Sequence, residues 1–112
     1  MSDVTMVALH SALTGISLRQ RVIADNIANI NTPGYHAKRV EFENALAGAV
    51  SDGTGAATAT VGTSLEPTRL DGNNVNLDHE TLANVDSGLR YQLMLRAVDA
   101  KFGLLRDSLR SS

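Results

Sequence analysis

Both ends of the sequence carry apolar residues at alternating steps of three and four, and this feature restricts the possible folds most. The N-terminal set is Met6, Leu9, Leu13, Ile16, Ile23, Ile27 and Ile30, in which Gln20 interrupts the alternation between Ile16 and Ile23. The C-terminal set is Tyr91, Leu95, Val98, Phe102, Leu105 and Leu109. Such spacing places each set on one face of a helix. It predicts two long helices that pack against each other through these faces, which form an intrachain seam.

Local signals indicate where these helices begin and end. The candidate caps of the first helix are Ser2, Asp3 and Thr5. Asp78 can cap the second helix. Pro33 disfavours helical geometry at the residue before it, so the first helix is expected to end near Asn31.

The chain therefore divides into an N-terminal helix in residues 1–32, a middle segment in residues 33–77 and a C-terminal helix in residues 78–112. At about 1.5 Å per residue, each helix is about 40 to 50 Å long. A compact domain of this size has a radius of gyration of only about 13 Å. We therefore predict a mainly α, elongated, antiparallel pair of helices.

The middle segment is much poorer in large apolar residues. Residues 48–64 (GAVSDGTGAATATVGTS) contain mostly Gly, Ala, Ser and Thr, which predicts a flexible loop. Lys38 to Phe42 and Val75 to Leu77 alternate polar and apolar residues, as short strands do. A small extended or β element is therefore expected beside the helices.

Each terminal helix also carries a second apolar or small-residue row on its opposite side. The N-terminal row is Val4, Ala8, Ser11, Gly15, Leu18 and Val22. The C-terminal row is Leu93, Ala97, Ala100 and Leu104. One chain with two such helices cannot cover four rows. We therefore predict that the second rows pack against neighbouring subunits. The alternative, that the middle segment folds back over them, is disfavoured by its lack of large apolar residues.

Composition and motifs argue against most chemical functions. The net charge is only −2, the basic residues are scattered and there is no cysteine, so neither nucleic acid nor a thiolate metal site is indicated. His10, His36 and His79 have no metal-site spacing, and no catalytic motif or substrate pocket is evident. No catalytic residue, metal or cofactor is predicted. The N-terminus lacks a secretory signal, which by itself favours the cytoplasm.

Amides are concentrated where the first helix is expected to end, in the sequence ADNIANINTPGY (24–35). Asn26 and Asn29 are three residues apart and share a helix face, and Asn31 precedes the turn. Amide groups can satisfy the unpaired carbonyls of a helix end, fix the direction of a turn and reach a neighbouring chain. Ordinary capping with Gly34 accounts for the turn but not for the two upstream amides.

Two stretches resemble the bacterial flagellar basal-body rod proteins, most closely the proximal rod members. The first is VIADNIANINTPGYHAKRVEF (22–42), and the second is LDGNNVNLDHETLANVDSGLRYQLMLRAVDAKFGLLRDSL (70–109). The family signature falls on Asn26, Asn29, Asn31, Thr32, Pro33, Gly34 and Tyr35.

This resemblance implies a non-enzymatic subunit of the rod that crosses the periplasm, exported by the flagellar type III apparatus without a cleaved signal peptide. It replaces the cytoplasmic assignment. The terminal helices would form an axial coiled-coil layer, and the implied partners are other rod subunits, the membrane-ring base and the export gate. Self-association fits this role. The alternative function is a cytoplasmic helical adaptor or chaperone that binds a client helix.

Overall fold

The computed structural model describes residues 3–111 and consists, over that range, of three helices and a two-stranded sheet. The elements in chain order are α1 (Val4–Ala28), β1 (Lys38–Glu41), α2 (Glu43–Ser51), β2 (Thr60–Thr63) and α3 (Leu77–Arg110). The two long helices run antiparallel, since Asp3 at the start of α1 meets Lys101 and Asn26 near its end meets Glu80.

The described part of the chain is elongated, as predicted. It measures 66 × 25 × 14 Å and has a radius of gyration of 17.7 Å. A compact domain of this length would have about 13 Å. The 34 residues of α3 account for the long axis, because at about 1.5 Å per residue they extend about 51 Å.

α1 begins where the sequence indicates but ends earlier. The Asp3 carboxylate caps it by accepting a hydrogen bond from the Thr5 N–H at 2.9 Å. Of the other two candidates, Thr5 lies within the helix and Ser2 lies outside the described residues. The helix ends at Ala28 rather than near Asn31. The Asn29 side chain donates to the Asp25 carbonyl at 2.8 Å and so satisfies part of the helix end.

α3 begins at Leu77, one residue before the predicted cap. Asn76 is the actual cap, and its side-chain oxygen accepts a hydrogen bond from the His79 N–H at 3.1 Å. Asp78 instead lies in the first turn together with Glu80, where acidic side chains interact favourably with the helix dipole.

The middle segment is more ordered than expected. Residues 48–64 are not one loop, because α2 extends to Ser51 and β2 occupies Thr60–Thr63. The predicted strand at Lys38 is correct, but its antiparallel partner is β2, with Val40 opposite Val61. The strand predicted at Val75 to Leu77 is wrong, since Leu77 opens α3. Alanine favours helix in α2, and Thr and Val favour strand in β2.

The hydrophobic core lies where α1 meets the middle segment. Its buried members are Ala12, Ile16, Val22, Val40 and Phe42, with Leu18, Leu46, Ala59, Tyr91 and Met94 packed around them. Of the predicted α1 seam, Ile16 and Ile23 are buried, and Leu9, Leu13 and Ile27 are half-buried. The core is therefore mostly aliphatic, with one Phe at its centre.

The middle segment covers part of the second row of α1, so Gly15 and Val22 are not free to meet a neighbouring subunit as predicted. Gly15 and Val22 are buried, and a Cβ added at Gly15 would lie 2.5 Å from the Phe42 ring. Nearer the start of α1, the Ser11 hydroxyl donates to the Gly55 carbonyl at 2.9 Å. Val4, Ala8 and Leu18 are half-buried. Small residues in this row let the middle segment approach closely, and Phe42 supplies the large apolar group.

The face of α3 that packs on α1 is rotated from the predicted seam. Tyr91 and Val98 are half-buried as expected, but Leu95 is 41% and Phe102 is 56% exposed, and Met94 packs on the core instead. Leu105 is 42% exposed. The covered positions Glu80, Ser87, Met94 and Lys101 follow one another at steps of seven, so the contact face lies one position before Leu95 and Phe102.

Candidate assembly surface and signature turn

Asn26 joins α1 to β1 through its side-chain amide. Asn26 is fully buried. The amide nitrogen donates to the Lys38 carbonyl at 2.9 Å, and the amide oxygen accepts from the Lys38 N–H at 2.9 Å. The side chain therefore pairs with the backbone of β1 in the way that a neighbouring strand would. This contact fixes the position of β1 along α1.

Tyr35 adds a third group to the same amide. Its hydroxyl donates to the Asn26 side-chain oxygen at 3.3 Å, and the Lys38 ammonium lies 5.1 Å from the centre of its ring. Burial raises the pKa of the Tyr35 hydroxyl, and the negative charge of Asp25 adds to this effect. The hydroxyl therefore stays protonated and able to donate.

Glu80 connects this cluster to the start of α3. Its side chain is 1% exposed, and one carboxylate oxygen accepts from Arg39 at 2.7 Å and from the Asn26 amide at 3.1 Å. The other oxygen has no hydrogen-bond partner among the described residues. A buried carboxylate needs such partners, so Arg39 and Asn26 are required for Glu80 to be accommodated there.

A second amide, Asn73, holds the turn after α1. It is fully buried, and its side-chain nitrogen donates to the carbonyls of Asn29 and Thr32 at 2.8 and 2.9 Å. The Gly34 N–H donates to the Asp71 carbonyl at 2.8 Å. Gly34 has φ of 76°, a conformation that favours glycine.

Asn74 and Arg69 complete the contact between the two loops. The Asn74 side-chain oxygen accepts from the Ala37 N–H at 2.6 Å. The Arg69 guanidinium donates to the carbonyls of Ile30 and Val75 at 2.5 and 2.6 Å. The turn signature and the Asp-Gly-Asn-Asn run, distant in sequence, thus form one hydrogen-bonded unit, which we call the amide lock (Asn26, Asn29, Arg39, Arg69, Asn73, Asn74 and Glu80).

The sequence predicted only part of the amide lock. The spacing of Asn26 and Asn29 indicated their shared face, whereas no local pattern indicated that Asn73 and Asn74 would contact the turn. Pairing of Glu80 with Arg39 had no local signal, since the two residues are 41 positions apart. At the tip of the turn, Asn31 and Pro33 are exposed, as are Thr32 and Gly34.

The outward side of α3 carries a row of exposed apolar residues. Leu93 and Leu104 are 60% and 68% exposed, and Ala97 and Ala100 are also exposed. The row continues towards the start of the helix. The additional exposed members, which the sequence prediction did not include, are Leu82, Val85 and Leu89. We call these seven residues the outer stripe of α3.

The spacing of the outer stripe explains why it stays on one side of the helix. Leu82, Leu93 and Leu104 follow one another at steps of eleven residues. Eleven residues make three turns at 3.67 residues per turn, which is close to the natural helical period. The stripe therefore runs nearly straight along α3, facing away from Tyr91 and Met94. Its regular spacing could have been read from the sequence.

Arg19 and Glu43 form an ion pair that joins α1 to the start of α2. The Arg19 guanidinium donates to both carboxylate oxygens of Glu43 at 2.8 and 2.7 Å and lies 4.9 Å from the centre of the Phe42 ring. These hydrogen bonds lower the pKa of Glu43 to about 2.

Within residues 3–111 no three His, Cys, Asp or Glu side chains are grouped as a metal site would require. None of the described helices has the length and apolar character needed to cross a membrane.

Comparison with known proteins gives a consistent result. Residues 6–36 match the family described as flagella basal body rod protein. The chain is similar to the flagellar basal body rod protein FlgB of Bacillus subtilis (strain 168), with 31% identity across 94% of this chain and 92% of the relative. FlgB of Escherichia coli (strain K12) is 29% identical across 97% and 95%, and FlgB of Aeromonas hydrophila is 32% identical across 85% of each chain. The chain therefore belongs to the FlgB family of flagellar basal body rod proteins.

Proposed function

We propose that this chain is a structural subunit of the flagellar basal body rod and that it assembles through its long helices. The similarity to rod proteins extends over nearly the whole chain, including both halves of the amide lock. The alternative role as a cytoplasmic adaptor receives no support, because the relatives reported above are named as rod proteins.

The observation that carries the assembly proposal is the outer stripe of α3. Complete burial of a Leu side chain contributes about 1.5 to 3 kcal/mol. With Leu93 at 60% and Leu104 at 68% exposure, each would gain about 1 to 2 kcal/mol on being covered. A row of seven apolar residues along one helix is more than a monomer usually leaves in water. Neighbouring subunits packed side by side would cover it.

Among the described residues, we assign this side-by-side contact to the outer stripe of α3. The second row of α1 is covered by Phe42 and the segment around Gly55. In an assembled rod, each subunit would therefore present α3 to its neighbour, while α1 and the middle segment support it from behind. This arrangement differs from one in which both helices contact neighbours.

The finer assignments belong to the same proposal. The chain would reside in the part of the rod that crosses the periplasm, having been exported by the flagellar type III apparatus without a cleaved signal peptide. Its partners would be other rod subunits, the membrane-ring base and the export gate. A structural role of this kind requires no substrate, no metal and no cofactor, and we expect no enzymatic activity.

The substitution Leu93→Glu tests the proposal. In cells whose own copy of the gene is deleted, the variant should accumulate as soluble protein but fail to enter purified basal bodies, because a carboxylate replaces an apolar contact. The matched control is Gln92→Glu, which adds the same charge at the neighbouring exposed position. Normal incorporation of the Leu93→Glu variant would remove the role given to the outer stripe. Equal loss in both variants would point to charge alone.

A further inference from the structure

The exposed line of α3 that carries the outer stripe has the same spacing on both sides of Leu93. Exposed residues lie four, seven and eleven positions before Leu93 and at the same three distances after it. Those before it are Leu89, Asp86 and Leu82, and those after it are Ala97, Ala100 and Leu104. Two copies of α3 that run in opposite directions and face each other at Leu93 would therefore bring all of these positions together in pairs.

The sizes of the paired side chains favour this opposite direction. Leu89 of one copy would meet Ala97 of the other, so that a large side chain faces a small one in both halves of the contact. If the two copies ran in the same direction and in register, Leu89 would meet Leu89 and Ala97 would meet Ala97. One layer would then be crowded and another would leave a gap, and both faults weaken packing.

Asp86 is a charged residue on this line, and its position favours the same direction. Its carboxylate contacts the Arg90 guanidinium at 2.9 Å, and both side chains are exposed. In the parallel pair, two Asp86 carboxylates would face and repel each other. In the antiparallel pair, Asp86 faces Ala100, whose small side chain lets the ion pair remain in water. Arg90 and Arg96 reach the same level in this pair but lie on opposite flanks of the stripe.

The area of the outer stripe fits a reversible contact. From Leu82 to Leu104 the stripe extends about 33 Å, at about 1.5 Å per residue, and a helix with its side chains is about 10 Å wide. Two such faces cover about 700 Å² together, whereas stable specific interfaces bury about 1,200 to 2,000 Å². A contact of this size holds two copies together at high concentration and releases them on dilution.

We propose that, before assembly, two copies of this chain pair in opposite directions through their outer stripes, with Leu93 at the two-fold axis. This inference goes beyond the proposed function, because it concerns the free chain rather than the rod. A two-fold contact between identical surfaces is closed and leaves no stripe open for a third copy. The same residues serve the dimer and the rod contact, so the two contacts exclude each other. The dimer therefore shields the outer stripe until a subunit joins the rod.

Disulfide cross-linking of the full-length chain tests the direction of the dimer, because the sequence contains no cysteine. The single variants Leu82→Cys and Leu104→Cys are mixed, one of them with a tag that changes its mass, and oxidised. In the antiparallel dimer, position 82 of one copy meets position 104 of the other. Two positions 82 are about 33 Å apart, whereas bridged Cα atoms lie within about 7 Å.

We expect mixed dimers of the two variants to form at least about tenfold faster than dimers of either variant alone, because pairing raises the effective concentration of the two thiols. The matched control replaces Leu82→Cys by Leu70→Cys, which alters a fully exposed leucine outside α3. In this control, mixed dimers should form no faster than dimers of one variant.

A second experiment separates size matching from general apolar attraction. Ala97→Leu adds apolar surface to the stripe but places two leucines in one layer of the dimer. We expect the dissociation constant of the dimer, measured by analytical ultracentrifugation, to rise at least about tenfold. The double variant Leu89→Ala with Ala97→Leu exchanges the two sizes and should restore the constant to within about threefold of the original. Both positions are exposed, so the fold should not change.

Three results would overturn the proposal. If the Leu82→Cys variant alone forms dimers as fast as the mixture does, the antiparallel direction is wrong. If Ala97→Leu pairs more tightly than the original chain, the stripe associates without size matching. If the original chain stays monomeric at its highest soluble concentration, the free chain does not pair.

The proposed function is judged separately from the dimer. If no dimer forms and Leu93→Glu is still absent from basal bodies, the rod contact stands and the dimer does not. If the dimer forms and Leu93→Glu enters basal bodies normally, the dimer stands and the role of the outer stripe in the rod does not.

Discussion

Replacement of Asn26 by Ala should strongly destabilise the fold, although it removes only one small polar group. Asn26 is fully buried and makes two hydrogen bonds with the Lys38 backbone and one with Glu80. A buried polar group that loses its partner costs about 1 to 3 kcal/mol. The Lys38 groups are only partly buried and can recover some hydrogen bonding from water, whereas Glu80 cannot.

We therefore expect a loss of about 3 kcal/mol in the free energy of unfolding, near the upper end for single substitutions. With a urea dependence of about 1.5 to 2 kcal/mol per M, the midpoint should fall by about 1.5 to 2 M. Urea unfolding followed by circular dichroism at 222 nm measures this shift. The matched control is Asn31→Ala, whose side chain is exposed and which should change stability by at most about 0.5 kcal/mol.

The substitution Asn26→Asp separates the hydrogen bonds from the charge. It keeps the size of the side chain, removes the two donated hydrogen bonds and places a second carboxylate beside Glu80. We expect it to be more destabilising than Asn26→Ala at pH 7, because two buried carboxylates repel each other. This account of the amide lock would be refuted if the free energy of unfolding of the Asn26→Ala variant lay within about 0.5 kcal/mol of that of the original chain. Equal effects of Asn26→Ala and Asn31→Ala would refute it as well.

Three further predictions follow from other contacts. Gly15→Ala should destabilise the fold by about 1 to 3 kcal/mol in urea unfolding, because the added methyl group would lie 2.5 Å from the Phe42 ring. The control Gly48→Ala, at a position where nothing lies within 4 Å of the added group, should stabilise the fold by about 0.5 to 1 kcal/mol. The pKa of Glu43 is lowered to about 2 by Arg19, so its stabilisation is present above about pH 4.5 and is lost as the pH falls towards 2. Because Glu43 is 46% exposed, the effect is at most about 1 kcal/mol, and Glu43→Gln should abolish it in acid titrations of stability. Circular dichroism of the dilute chain should show a cooperative transition but less helix than the structure contains, with a rise on assembly, since the outer stripe lacks a partner in the monomer. The full helix content in dilute solution would contradict this.

The sequence was sufficient to predict the elements whose cause is local. The apolar periodicity predicted both long helices, and the alternation around Val40 predicted β1. The outer stripe was predicted in part. The spacing of Leu93 and Leu104 places them on one face of α3, and the sequence indicates no other segment that would cover this face. These features depend on spacing within one segment, which a single sequence records directly.

The errors concern contacts between distant segments. Nothing near Gly15 indicates that Phe42 will lie against it, so its row was assigned to a neighbouring subunit. The strand at Val40 needed a partner, and Val61, in a segment dominated by small residues, gave a weaker signal than Val75 did. Leu95 and Phe102 were assigned to the seam because they are apolar, whereas the contact face carries Met94 and Lys101, each one position earlier.

The amide lock also determines how far α1 and α3 are shifted along each other. An aliphatic interface between two helices changes little when one of them slides by a turn, about 5.4 Å, because similar side chains meet again. The contact between Asn26 of α1 and the buried Glu80 of α3 has no such tolerance, since a shift of one turn would break their hydrogen bond. A sliding error in a lone protein would stay confined to that molecule, whereas in a polymer it would be added at every repeat. A subunit in which hydrogen bonds fix the relative position of its two long helices is therefore suited to building a structure of constant spacing.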